Sequence, residues 1–196
     1  INALQNMRDV LAGHKEGEVS VKWDGAPAIF AGTDPSDGKF FVAKKGIFNK
    51  TPKIYKTPEE IEADTSGDLA SKLKDALKYL PELGIQGVIQ GDFLFSRADL
   101  KKETIDGEKF ITFHPNTIVY AVPTSNAQPL LQSKIGIVWH TSYSGKTFES
   151  MKASFGVDVS RLKHSSNVWS QDAMLRNASY ATMTAKDTVE VTKILS

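Results

Sequence analysis

Residues 18–30, Glu-Val-Ser-Val-Lys-Trp-Asp-Gly-Ala-Pro-Ala-Ile-Phe, constrain the fold more than any other stretch of the chain. An alternating β-branched run ends in Lys22, an Asp-Gly pair follows, and a second apolar run begins at Ala28. This pattern predicts a strand over residues 19–22, a tight turn at Asp24-Gly25 and a return strand over residues 28–31. Side chains two apart on a strand share a face, so Ser20 and Lys22 are expected on the same side. A lysine at a strand end, partly desolvated by its walls, becomes a nucleophile near neutral pH. An ordinary surface hairpin accounts for the same four residues.

Further along, periodicity predicts helices over residues 2–11, 68–80, 147–155 and 184–195. Gly13 suits a helix C-cap. Thr57-Pro58-Glu59-Glu60 reads as an N-cap, Pro at the first helical position and a capping-box Glu. Strands are expected over residues 39–43, 87–95, 110–113, 117–122 and 135–139, with a turn-rich loop over residues 32–38. Strands in series with helices inserted between them predict an α+β fold of antiparallel sheets and flanking helices. The expected organisation is a core over residues 1–155 and a helical or irregular extension over residues 156–196. The missing initial Met and the apparent helix at the end suggest a piece of a longer protein.

Composition narrows function by exclusion. With 196 residues, 40% hydrophobic, the chain can bury a sizeable core. A net charge of +1 provides no overall pull toward nucleic acid or membrane, so any such contact must come from a local patch. The absence of cysteine removes disulfides, thiolate metal sites and cysteine nucleophiles, and fits a reducing cytoplasm. No apolar run approaches the roughly 18 residues of a membrane span. His114, His140 and His164 lack metal-ligand spacing and read as structural or surface residues; Trp139 and Trp169 read as core or interface residues.

Lys22-Trp23-Asp24-Gly25 resembles the Lys-x-Asp-Gly motif of the covalent nucleotidyltransferases: ATP-dependent DNA ligases, RNA ligases and mRNA capping enzymes. Three more segments follow in that superfamily's order. Residues 40–46 are similar to the strand carrying Ser-Arg-x-Gly, with Ala43 and Lys44 in the Ser and Arg places and Lys45 beside them. Residues 88–94 are similar to the Asp-Gly-Glu strand, with Asp92 at the glutamate position. Residues 117–122 are similar to the strand bearing a base-stacking aromatic, here Tyr120. Lys22 and Asp92 are 70 residues apart, and Asp92 and Tyr120 are 28 apart, which suits the family. The wording of Gly-Ala-Pro-Ala and His-Pro-Asn-Thr-Ile-Val-Tyr also resembles ligase-like proteins of tailed phages. The chain departs from the pattern at Pro27, where many DNA ligases have Arg, and at Asp92, one methylene shorter than Glu. The family's fourth and fifth motifs are not found; residues 134–140 mimic the fourth without its acid.

The resemblance implies a ligase-type nucleotidyltransferase core with a nucleotide pocket between sheets. It implies Lys22 attacking ATP to form a lysine–AMP intermediate, with Mg²⁺ on the triphosphate and a 5′-phosphate end of RNA or DNA as acceptor. It implies nucleotide contacts from Ser20, Val21, Asp24, Gly25, Lys44, Lys45, Asp92 and Tyr120, with Asp92 also a metal ligand. ATP is preferred to GTP because the Gly-Ala-Pro-Ala context looks more like RNA ligases. The setting would be the cytoplasm, that of the host cell if the protein is viral. Two other readings stay open: a catalytically incomplete ligase-like module that binds nucleotide or nucleic acid, and a phage structural or interaction domain. Each residue also has a plain role available: Asp24 as a turn residue, Asp92 as a charge-paired strand acid, Tyr120 as core, and Lys44 and Lys45 as part of a solvated basic loop.

Overall fold

The computed structural model describes residues 2–14, 22–173 and 183–195. In chain order the elements are α1 (Asn2–Leu11), β1 (Ala28–Thr33), β2 (Phe40–Ala43), α2 (Pro58–Asp64), α3 (Gly67–Tyr79), β3 (Val88–Ser96), β4 (Lys101–Ile105), β5 (Glu108–Phe113), β6 (Tyr120–Pro123), α4 (Gln128–Gln132), β7 (Ile135–Ser144), β8 (Lys152–Phe155), β9 (Val168–Asp172) and α5 (Ala185–Leu195). They fall into two units, one drawn from residues 1–21 and 174–196 and the other spanning Lys22–Ala173. In the first unit α1 and α5 meet, and the Met183 amide donates to the Leu11 carbonyl at 2.9 Å. Leu4, Met7, Val189 and Ile194 of these helices remain exposed.

The second unit is mixed α+β, with antiparallel sheets and helices, as the alternation of elements predicts. Its main sheet runs β2-β1-β3-β7-β8, and β9 joins the same edge of the path through β7. β7 is long enough to serve two partners in succession: Ile135 to Trp139 pair in parallel with β9, and Thr141 to Ser144 pair antiparallel with β8. A second sheet has the order β4-β5-β6.

Side-chain parity explains how the layers form. Ile29 and Ala31 of β1, Ile89 and Phe93 of β3, and Ile137 and Trp139 of β7 share the sheet face that meets Leu73, Ala76 and Leu80 from the α3 region and Ile61 of α2. Residues one step out of phase face the other way. There Phe30, Phe41, Ala43 and Val88 form one apolar cluster, and Leu94, Phe95, Phe113 and Val138 form another. Between these clusters β3 presents Gln90 and Asp92, which are partly buried rather than buried. The apolar run of β3 therefore carries a polar window on one face of a central strand.

Some local signals translate directly. Thr57 Oγ1 accepts from the Glu60 amide at 3.3 Å, and the Glu60 carboxylate accepts from the Thr57 amide at 3.2 Å, closing the expected capping box. Others do not. The helix expected over residues 147–155 is a single 3₁₀ turn, Phe148–Ser150, followed by β8. The capping signal at Thr147 is genuine but serves that one turn, and the free edge of β7 then claims the next residues as a strand. The strand expected over residues 117–122 is shortened to β6, because residues 116–119 form a loop. β4 and β9 had no distinct signal in the sequence reading. Among the described residues no helix is long and apolar enough to cross a membrane.

Thr57→Ala removes the acceptor for the Glu60 amide and opens the capping box. Urea unfolding of this variant is expected to show stability lower by about 1 kcal/mol, with an unchanged denaturant slope.

Candidate functional site

The Lys22–Gly25 segment is not a hairpin turn. Residues 22–25 are irregular, and β1 starts only at Ala28. The expected strand over residues 19–22 lies outside the described residues except for Lys22, as do the candidate contacts Ser20 and Val21. The Asp-Gly pair does not close a turn because its polar groups are engaged elsewhere. Asp24 Oδ1 accepts from Asn116 Nδ2 at 2.9 Å, and Oδ2 accepts from the Thr117 amide at 2.8 Å. The Asp24 amide donates to Tyr120 Oη at 2.7 Å. One residue is thus clasped three times by the loop and strand that follow β5. The Asn116 and Thr117 bonds, with a smaller contribution from the Lys22 charge, hold the Asp24 carboxyl below its usual range.

Gly25 sets the segment directly on β3. A Cβ at this position would lie 2.5 Å from Asp92 Cβ and 2.9 Å from the Phe93 carbonyl oxygen. Only glycine allows that approach. The chain then runs along β3, with the Ala26 amide donating to the Phe93 carbonyl and the Phe93 amide to the Pro27 carbonyl, each at 3.0 Å. In register, Asp92 sits opposite Ala28 of β1 and Val138 of β7. The motif and the acid, 67 residues from Gly25 to Asp92, therefore meet in space.

Asp92 keeps about a quarter of its side-chain surface exposed, and His140 Nε2 lies 3.8 Å from its Oδ1. His140 occupies the β7 irregularity opposite Gln90 and Gly91, where a register shift inserts an extra residue. Such bulges re-aim side chains. The His140 Nδ1 position is fixed by Thr141 Oγ1 at 2.7 Å. Gln90, the next polar residue on this face of β3, accepts from Tyr143 Oη at 2.7 Å. His140 carries no site signal in the sequence, because a lone histidine does not reveal a bulge set by the partner strand.

Tyr120 and Trp23 form the wall beside the motif. The Tyr120 ring stacks on Trp23 at 5.3 Å and on Phe113 at 5.2 Å. Trp23 meets Trp169 edge-on at 6.1 Å, and Phe95 contacts both Phe113 and Trp169. Five aromatic rings thus close a circuit that fixes the residue after Lys22. The expected stacking surface of Tyr120 is occupied by protein rings, and its hydroxyl by the Asp24 amide. Trp23 Nε1 is buried with no hydrogen-bond partner among the described residues, a state that costs about 1–3 kcal/mol.

The two candidate lysines of the second segment separate from this site. Lys44 follows Val42 in parity, not Ala43, and its ammonium lies 3.1 Å from Asp64 of α2 and over the Tyr55 ring. Burial alone would lower the Lys44 ammonium; hydrogen bonds to Asp64 and Tyr55 outweigh it and raise it. Asp64 also takes Lys53 at 2.8 Å and Tyr55 Oη at 2.5 Å, and these bonds with Lys44 hold its carboxyl far below the usual range. Lys45 is exposed and opens a 3₁₀ turn. Lys22 is exposed. Among the described residues no three His, Asp or Glu side chains gather as a metal cluster.

The full chain, residues 1–196, matches DUF6267, a family of unknown function, and belongs to it. No curated protein and no solved structure matches the chain.

Two outcomes follow from this geometry. Gly25→Ala forces its methyl into Asp92 and the β3 backbone; a loss of about 1–3 kcal/mol in chemical unfolding is expected, with amide shifts at Asp92 and Phe93. Asp64 has a folded pKa below its unfolded value, so its stabilisation is complete above about pH 4 and is lost as pH falls through the folded value. The gap in melting temperature between the wild type and Asp64→Asn is therefore expected to stay level near neutral pH and to close on acidification below about pH 4.

Proposed function

We propose that this chain carries a ligase-type nucleotidyltransferase core in which Lys22 is the nucleophile. The observation that carries this reading is the seating of Lys22-Trp23-Asp24-Gly25 on β3 beside Asp92, with Asp24 clasped by Asn116, Thr117 and Tyr120. Three of the four segments that resemble the superfamily's motifs, far apart in sequence, are thereby brought to one end of one sheet face. In this reading the Lys22 amine forms a bond to the α-phosphorus of ATP while the α–β phosphoanhydride breaks and pyrophosphate departs. An oxygen of the 5′-phosphate of an RNA or DNA end then bonds to that phosphorus while the Lys22 N–P bond breaks and the lysine amine is released with a proton. Such chemistry depends on positioning and charge stabilisation more than on covalent machinery. The clasp on Asp24 and the ring circuit at Trp23 supply positioning, and Asp92 supplies a carboxylate for ribose hydroxyls.

Mg²⁺ would neutralise charge on the triphosphate. Asp92 offers one carboxylate to that cation, and a site of this kind holds Mg²⁺ chiefly through phosphate oxygens and water. Lys44 stands apart from this scheme, since its ammonium is committed to Asp64.

A second reading rests on the same departures. With Lys44 turned to α2 and both aromatic functions of Tyr120 used within the protein, the site would bind nucleotide without completing adenylation.

Intact-mass measurement after incubation with ATP and Mg²⁺ decides between them. Transfer predicts the gain of one AMP, absent in Lys22→Ala and labile to acid. Binding alone predicts no mass gain but a higher melting temperature with ATP; a ligand at 100 times its Kd adds about 2.7 kcal/mol. Neither a mass gain nor a melting shift would remove both readings.

A further inference from the structure

A cavity of about 320 Å³ opens where the 3₁₀ turn Leu80–Leu83, α4, the 3₁₀ turn Val159–Arg161 and β9 converge. We propose that it is an anion site for a phosphate monoester borne on an apolar group, independent of the chemistry read at Lys22. Its volume falls in the range of small-molecule sites.

The lining contains no carboxylate. Its charged or titratable members are Lys163 and His164. The Lys163 amide donates to the Leu83 carbonyl at 2.8 Å, and its methylene stem packs on Gly84, where a Cβ would lie 3.1–3.3 Å from Cγ, Cδ and Cε. The stem is thus anchored, and no carboxylate pairs with its ammonium among the described residues. The nearby acids are engaged. Glu82 accepts from Ser165 at 2.5 Å and from Asn167 at 3.1 Å, and Asp158 pairs with Arg161 at 3.1 Å.

The hydroxyls sort in the same way. Ser133 donates to the Pro129 carbonyl, Ser160 to Asp158 and Ser165 to Glu82, while Ser170 accepts from Trp139 Nε1. Ser166 and Gln132 remain as lining donors with no side-chain hydrogen bond among the described residues. The remaining wall is apolar: Val159, Leu162, Val168 and Trp169.

This donor set selects the ligand class. Arg161, whose planar fork suits bidentate carboxylate, is paired with Asp158. What lines the cavity instead is the point charge of Lys163 together with His164, Ser166 and Gln132. Such a set fits a tetrahedral anion with several acceptor oxygens. Val159, Leu162 and Val168 fit an apolar group attached to that anion.

The experiment is a titration of the full chain with phenyl phosphate, followed by amide chemical shifts, with phenol and benzoate as comparison ligands. Phenyl phosphate is expected to shift amides of residues 159–170 and 130–133. Phenol and benzoate are expected to bind at least ~10-fold more weakly. Lys163→Met, which keeps the stem on Gly84, should weaken phenyl phosphate by about tenfold, the worth of one charge-assisted hydrogen bond. His164→Gln should weaken it less, and Lys22→Ala should leave it unchanged. Equal binding of phenol or benzoate, an unchanged affinity in Lys163→Met, or shifts confined to Lys22–Gly25 and Asp92 would each overturn the proposal.

Discussion

Strand β3 is hydrogen-bonded on both edges, by β1 and by β7, and lined with apolar side chains on both faces at its two ends. A strand in that position must satisfy its backbone entirely within the sheet, and any polar side chain it carries needs a partner. Gln90 and Asp92 therefore stand at the only kind of place on β3 where they are tolerable, on the face opposite α3, in the gap between two apolar clusters. Gln90 is satisfied by Tyr143, and Asp92 faces His140 at a distance longer than a hydrogen bond. The sheet thus places a partly buried carboxylate at its centre, 3.8 Å from the His140 ring. Gly25 packs against Asp92, and His140 faces it.

The Lys22–Gly25 segment is irregular backbone, yet it is fixed by two unlike means. One is polar: both Asp24 oxygens and its amide are bonded to residues beyond β5. The other is apolar: Trp23 is held in a ring circuit with Tyr120, Phe113, Phe95 and Trp169. Tyr120 belongs to both, since its ring stacks and its hydroxyl accepts. Removing its hydroxyl or its ring would remove contacts that hold Trp23 and Asp24. Placement of the chain before β1 depends on the β5–β6 connection, a contact across more than 90 residues.

Elements with self-contained signals were legible in the sequence. α1 and α3 follow helical periodicity, α2 announces itself by its capping box, and β1, β2, β3 and β5 by alternating or apolar runs. β8 and β9 were not, because four or five residues become strand only when an edge is available, and β7 supplies that edge from outside the segment. The same reason explains the site. Lys22, Asp92 and Tyr120 could be named from the resemblance of their segments to the superfamily's motifs, but the residues around them could not. Asn116 and Thr117 look like any loop, and His140 acquires its aim from a bulge defined by the partner strand. Lys44 shows the converse: its neighbour Ala43 faces the Asp92 side, so one step of parity carries the lysine to α2.

Parity also bears on how a phosphate-handling site would be assembled here. On the face of the sheet that meets α3, Lys44 and Lys53 are bound into a network with Asp64 and Tyr55, whose bonds favour the charged Lys44 and the charged Asp64 carboxylate together. On the other face, the cationic group within the motif is Lys22, and it is exposed. Coulomb attraction to a triphosphate is weak at an exposed surface and rises steeply once water is displaced. A site relying on Lys22 therefore gains more from closure over the Asp92 face than from any rearrangement of the lysines near α2. Beside the Trp23–Tyr120 pair, the adjoining loop exposes the apolar residues Ile118 and Val119, whose chemistry suits that exclusion of water.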